Sequence, residues 1–179
     1  MSIKSCFRKV ISDFESCFEL NNFNKECIVS SIISTWQDLR VFIKMIDPQL
    51  TGYYDELLKD LSEDELIITT AMYDEGARIY NSLRSEGNNV RSFINKYAHL
   101  LNSLLIFNRP DVEACDICQG ELYYYFDELH KCIIVKCSTC GSVFMNKGGK
   151  FVAWNDDYTF NLRRARISEL SCILTELDI

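Results

Sequence analysis

Residues 113–144 read EACDICQGELYYYFDELHKCIIVKCSTCGSVF: two C-x-x-C pairs flanking a run rich in aromatic and β-branched residues. Cys115, Cys118, Cys137 and Cys140 form C-x2-C-x18-C-x2-C, within the range of four-cysteine zinc sites. Two residues between ligands let a tight turn aim both sulfurs at one ion. The 18-residue spacer has room for a strand, a turn near "DELHK" and a returning strand. The spacing therefore predicts two knuckles sharing one zinc per chain. Four thiolates close the coordination shell, so the ion is expected to be structural, supplying folding free energy to a small sheet with little core of its own. A lone C-x-x-C is also a thiol-exchange motif, but two pairs around strand-forming residues favour metal. Cys132, in "HKCIIVK", is expected to be a strand residue and not a fifth ligand.

Working outward, "ELYYYF", "KCIIVK", "SVFMN" and "KFVAW" read as short strands, and "NKGGK" as a hairpin turn whose glycines tolerate positive φ. Helical periodicity holds on either side. Ile28, Ile32, Trp36, Leu39 and Ile43 line one face of a helix that must end before Pro48, and Val90, Phe93, Tyr97, Leu100 and Leu104 line another after "EGNN". Ser62 and Glu65 form a capping box that predicts a helix start ahead of Ile68, Met72, Ile79 and Leu83. About five helices are expected by residue 107. Pro110 closes this part, and a helical period returns in Ile167, Leu170, Leu174 and Leu177. The expected class is α+β: an α-helical N-terminal domain (1–109), an inserted antiparallel zinc-ribbon sheet (110–156), and a C-terminal helix (157–179) packing back on the body or bracing the ribbon.

The knuckle "CSTCG", with "CDICQG" carrying its glycine one place later, resembles the zinc-ribbon family over residues 112–154. The resemblance implies two knuckles on a small sheet, with Gly120 and Gly141 giving the turns backbone freedom.

At 47% hydrophobic residues, with only two prolines and seven glycines, the composition is that of a folded protein. No apolar run spans a membrane and the N-terminus shows no signal-peptide core, so a cytosolic protein is expected. In that setting Cys6, Cys17, Cys27 and Cys172 read as small buried thiols. Residues 1–110 hold 12 basic and 15 acidic side chains and residues 111–179 hold 7 and 11, giving −3 and −4 of the total −7. Neither part is basic, which argues against a broad nucleic-acid surface. The two histidines, His99 and His130, head no catalytic motif, and no P-loop, GxGxxG, GxSxG, H-E-x-x-H or deaminase H-x-E signature occurs. The expectation is a protein that is not an enzyme.

Residues 51–75 hold eight acidic side chains and one lysine. They read either as solvated helix surface or as a partner-binding face, with Asp55, Asp60, Glu63, Asp64 and Asp74 pairing to a basic protein and Tyr53 and Tyr54 as anchors. The "LYYYF" aromatics are flanked by Glu121, Asp127 and Glu128 and suit sheet packing better than base stacking. Arg163, Arg164 and Arg166 could contact phosphate, but Asp156 and Asp157 stand ready to absorb their charge. In size and acidity the chain resembles bacterial immunity proteins, including those of contact-dependent inhibition. That resemblance implies occlusion of a basic nuclease toxin by carboxylates set where substrate phosphates lie. The rival expectation is a nucleic-acid- or transcription-associated zinc ribbon.

Overall fold

The computed structural model describes residues 2–18, 24–59, 61–86, 89–108, 114–147, 150–153 and 159–174. These residues form an α+β chain whose helices lie mostly in the N-terminal part, with an antiparallel sheet and a short C-terminal helix after it. Two compact units are distinguishable: Met1–Leu66 with Tyr73–Asn102, and Ile67–Met72 with Ser103–Ile179.

The first unit is helical. Helix α1 (Ile3–Phe18) buries Cys6, Phe7, Val10, Phe14 and Cys17, a stripe at steps of one to four residues. Helix α2 (Lys25–Ile46) buries Ile28, Ile32, Trp36, Leu39 and Ile43, as its periodicity predicts, and Asn24 caps it by accepting from the Cys27 amide. Pro48 stops α2 and starts α3 (Pro48–Leu57), because a proline at the first helical position forfeits an amide that has no partner anyway. Asp47 caps α3 through the Leu50 amide. Helices α4 (Thr70–Arg84) and α5 (Val90–Leu105) complete the five expected before residue 107. Phe7 stacks on Phe93 with centroids 3.7 Å apart, and the buried hydroxyls of Thr35 and Tyr97 meet at 2.8 Å.

Two expectations fail here. Ser62 opens only a single 3-10 turn, Glu63–Glu65, and its side chain makes no cap hydrogen bond. The chain then leaves the helix, extended at Leu66 and burying Leu66 and Ile68 two residues apart, and α4 begins at Thr70 with the Thr69 hydroxyl accepting from the Met72 amide. The β-branched run Ile67–Thr70 and the alternate burial of Leu66 and Ile68 outweigh the capping-box pattern. Cys17 and Cys27 are not thiols but a disulfide, with Cα atoms 5.8 Å apart. Cys17 lies in the last turn of α1 and Cys27 in the first turn of α2, so the antiparallel helix pair brings their Cβ atoms together. Cys6 is a buried thiol, as expected, whereas the side chain of Cys172 and all of Leu177 lie outside the described residues.

The second unit is built on the sheet. Strands β1 (Leu122–Asp127), β2 (Cys132–Cys137), β3 (Val143–Lys147) and β4 (Lys150–Ala153) follow one another as an antiparallel meander. The four predicted strand segments are all present, although the "NKGGK" turn and Pro110 fall outside the described residues. A fifth strand, β5 (Leu162–Arg164), pairs antiparallel with β1 and gives the order β4-β3-β2-β1-β5. Central strand β2 buries Ile133, Ile134 and Val135 in succession, the pattern of a strand covered on both faces. Tyr124 and Tyr125 are also buried, and Phe107 packs on Tyr124 at 5.3 Å while its carbonyl accepts the Tyr124 amide. The middle of the aromatic run, Tyr124 and Tyr125, is thus sheet core, while Tyr123 and Phe126 are half-buried. Arg163 lies 4.4 Å over the Phe126 ring, and its guanidinium reaches Glu128 and Glu169, joining β5 to α6 (Ile167–Leu174).

Candidate metal centre

The β1–β2 hairpin carries the four cysteines to one end. Cys137 is the last residue of β2 and pairs with Leu122, while Cys115 and Cys118 precede β1 and Cys140 follows β2. All four sulfurs lie within 4.8 Å of one another. Cys115 Sγ is 3.7 Å from Cys140 Sγ, and Cys118 Sγ is 3.4 Å from Cys137 Sγ. Four thiolates about 2.3 Å from one tetrahedral ion stand roughly 3.8 Å apart. The tetrad therefore fits a metal ion, and its sulfurs are not joined as disulfides.

The two knuckles repeat the same backbone pattern. The Cys115 amide donates to the Gly120 carbonyl at 2.9 Å and the Gln119 amide to the Cys115 carbonyl at 2.8 Å. Likewise the Cys137 amide donates to the Ser142 carbonyl at 2.9 Å and the Gly141 amide to the Cys137 carbonyl at 3.1 Å. In each turn the fourth residue past the leading cysteine is left-handed, Gln119 at φ 60° and Gly141 at φ 73°. Gln119 thus occupies the position that glycine fills in the second knuckle, and its side-chain Nε2 donates back to the Cys115 carbonyl at 3.2 Å. Gly120 has a different role from the backbone freedom expected of it. A Cβ there would lie 2.4 Å from Thr139 Oγ1, 2.7 Å from Thr139 Cβ and 3.1 Å from Cys137 Sγ, so its bareness lets the knuckles approach. A Cβ on Gly141 would meet nothing within 4 Å.

Electrostatics sort the sulfurs. Cys140, the exposed member, is pushed down to about 6, first by the Ser142 hydroxyl, 3.1 Å away, and then by the Ser142 amide. For Cys118 the Gly120 amide favours the thiolate, but the Cys137 sulfur, burial and the other two sulfurs together push it up to about 12. A cation at the centre removes that mutual opposition, since it favours every thiolate at once.

Cys132 and His130 lie at the opposite end of the hairpin. Cys132 pairs with Asp127, five residues along β2 from Cys137, roughly 16 Å at strand rise. Its thiol is pushed up, first by burial and then by Asp127. His130 Nδ1 bonds Asp127, whose fully buried carboxylate also accepts from the Leu129 amide at 3.2 Å and the Asn161 amide at 2.9 Å. His99 is exposed on α5.

The partner-binding candidates scatter by role. Tyr54 is buried, its hydroxyl donating to the Ala98 carbonyl at 2.7 Å and Asn102 Oδ1 at 2.8 Å, so in this conformation it serves the core and is not an anchor. Tyr53 is half-buried, edge-on to Tyr54 at 5.0 Å. Asp55 receives Trp36 Nε1 at 3.0 Å and Arg40 Nε at 2.7 Å, and Arg40 holds its carboxyl below the usual range. Its charge is already matched within the fold. Glu63 and Asp64 on the 3-10 turn and Asp74 on α4 are exposed, and Asp60 lies outside the described residues. The expectation that Asp156 and Asp157 absorb the arginines also falls outside them; Glu128 and Glu169 bind Arg163 instead.

The chain matches no family model, no curated protein and no solved structure. Similarity to zinc ribbons therefore rests on the cysteine tetrad, and similarity to immunity proteins on composition alone. No helix of the described residues is long and apolar enough to cross a membrane. The features that sequence reading missed are the disulfide, the clearance role of Gly120, the Asp127 pin and β5. Of these only the disulfide had a signal, two cysteines ten residues apart, the second just ahead of the predicted helix that bears Ile28 to Ile43.

Proposed function

We propose that this chain is a non-enzymatic protein-binding protein whose tetrad holds one structural zinc ion and whose exposed carboxylates engage a basic partner. The zinc reading is carried by the twin knuckles, which bring four soft thiolate ligands together and leave no protein-free position in a tetrahedral shell. Its test is elemental analysis of purified protein, expected to give one zinc per chain; protein free of zinc when purified without chelator overturns it.

The partner reading rests on Glu63, Asp64 and Asp74, exposed carboxylates of the helical unit with no cationic side chain in ion-pair range among the described residues. Unmatched like charges on a folded surface suit a basic protein, speeding its approach and fixing its orientation. The specific form is an immunity protein that covers the active-site cleft of a basic nuclease toxin in the cytoplasm of the cell it protects. In that reducing compartment Cys17 and Cys27 would stand as a dithiol. The nucleic-acid alternative has less support, because Tyr124 and Tyr125 are buried and Arg163 is held by two carboxylates and a ring. The deciding assay mixes the protein with a basic nuclease toxin domain, taken from the neighbouring reading frame where one encodes it. Stoichiometric loss of nuclease activity that weakens as salt rises is expected; undiminished nuclease activity together with salt-sensitive binding of RNA or DNA overturns the proposal.

A further inference from the structure

A concavity of about 340 Å³ opens in the helical unit between α1, the end of α4 and α5. Its floor is apolar, made by the stacked Phe7 and Phe93 with Ile11 one turn along α1. Its rim is cationic. Lys4 and Arg8 stand one turn apart on α1, both exposed, and Arg84 comes from the last turn of α4.

Two of the charges on this rim, Lys4 and Arg8, are unmatched by the described residues. Neither Lys4 nor Arg8 has a carboxylate within ion-pair distance among the described residues, and like charges at this helical spacing repel. Arg84 is already engaged by the protein, with Glu15 at 3.7 Å, so the two α1 cations carry the unmatched charge. The single acid on the lining, Glu86, is bound by Lys96, which lies outside the lining, so it does not neutralise the rim. Three cations around one apolar hollow run against a chain of net charge −7. A volume of this size suits a small ligand, and a hollow that is apolar below and positive at the edge selects one with the reverse layout.

We propose that this hollow is a binding site for a small amphipathic anion: a flat apolar ring over Phe7, Phe93 and Ile11, carrying a phosphate or carboxylate held by Lys4, Arg8 and Arg84. The ring supplies burial and the anion supplies charge-assisted hydrogen bonds, the stronger kind, with Arg8 able to bind it in two-pronged fashion and Arg84 adding positive potential at the rim. This site involves none of the carboxylates assigned above to a protein partner, so either can fail alone.

The test is calorimetric titration of the intact protein with 1-naphthyl phosphate and 1-naphthoate, beside inorganic phosphate and 1-naphthol. At least one naphthyl anion is expected to bind tenfold or more tightly than both inorganic phosphate and naphthol, and which of the two does so identifies the anionic group. Lys4→Glu with Arg8→Glu should weaken it at least tenfold. The control pair Lys25→Glu with Lys44→Glu, an equal charge change on α2, should leave it within about twofold. Lys4→Gln with Arg8→Gln gives a milder variant should the reversal perturb folding, and circular dichroism checks each protein. Bound naphthyl phosphate should also shift the Ile11 methyl resonances. Naphthyl anions binding no better than inorganic phosphate, or α1 and α2 variants behaving alike, overturn the proposal.

Discussion

Replacing Gly120 by alanine should push the two knuckles apart, and the loss should appear in metal affinity. The new Cβ would stand 2.4 Å from Thr139 Oγ1, a clash that rotation of the exposed Thr139 side chain relieves. It would also stand 2.7 Å from Thr139 Cβ and 3.1 Å from Cys137 Sγ, and no rotamer moves a Cβ off its backbone. Carbon atoms in contact sit about 3.5–4.0 Å apart, so the turns must separate by roughly 1 Å. Overpacking of this kind costs about 1–3 kcal/mol. Because the clash lies between ligand-bearing turns, that cost falls on the assembled tetrad, roughly a ten- to hundredfold loss of zinc affinity. Gly141→Ala also costs about 1–2 kcal/mol, but through its left-handed φ of 73° and not through contact. Rescue separates the two causes. Thr139→Gly should recover most of the affinity lost in Gly120→Ala, the 3.1 Å approach to Cys137 Sγ being left, and should leave Gly141→Ala unrepaired, whereas Gly141→Asn should be nearly silent because asparagine tolerates that φ. Competition for zinc against a chromophoric chelator reads the affinity. Wild-type affinity in Gly120→Ala, or no recovery with Thr139→Gly, would refute the clearance role.

Other perturbations give equally direct outcomes. Cys137→Ser should abolish zinc binding by elemental analysis while Cys132→Ser retains it, the latter being at the far end of β2. For Asp127, burial alone would raise the carboxyl, but His130 and the amides of Asn161 and Leu129 outweigh it and hold it below its ordinary value of 3.8. Its stabilising contribution is therefore complete above that value and lost as pH falls through the lower folded one, and Asp127→Asn should flatten the acid arm of a stability–pH curve. Reducing the Cys17–Cys27 bridge, which closes a loop of sequence separation 10, should lower stability by up to about 3 kcal/mol in denaturant titrations, with Cys17→Ser/Cys27→Ser insensitive to reductant. Reversing Glu63, Asp64 and Asp74 to lysine should leave circular dichroism and the melting temperature nearly unchanged, since exposed charges contribute little individually, while slowing association with the basic partner.

The helices α2 and α5 were legible because burial at steps of three and four writes itself into the sequence, and the tetrad was legible because ligand spacing is a local constraint. What was hidden depends on neighbours distant in sequence. Strand β5 has no alternation in "LRR"; it exists because the open edge of β1 accepts it and because Phe126, Glu128 and Glu169 hold Arg163. Ser62 and Glu65 have the right local chemistry for a cap, yet burial of Leu66 and Ile68 sets the chain extended until Thr69. Gly120 looks in sequence like a displaced copy of Gly141, and only the position of Thr139 shows that the two glycines answer different constraints. Tyr54 and Asp55 read as surface chemistry because nothing nearby in sequence reveals Ala98, Asn102 or Arg40 as their partners.

The β1–β2 hairpin behaves like a beam fixed at both supports. At one support sits the tetrad, and at the other Asp127 gathers its own turn and the approach to β5 through Leu129 and Asn161. Sliding the strands by a single residue would send every side chain to the opposite face of the sheet, and neither support permits it while intact. The supports answer to different reagents. With zinc bound as proposed, a chelator would release only the first, leaving a sheet still held at its turn, whereas acid would protonate thiolates and carboxylate alike and release both. Stripping the metal at neutral pH should therefore give a frayed but registered ribbon, and only acidification should let the strands lose their alignment.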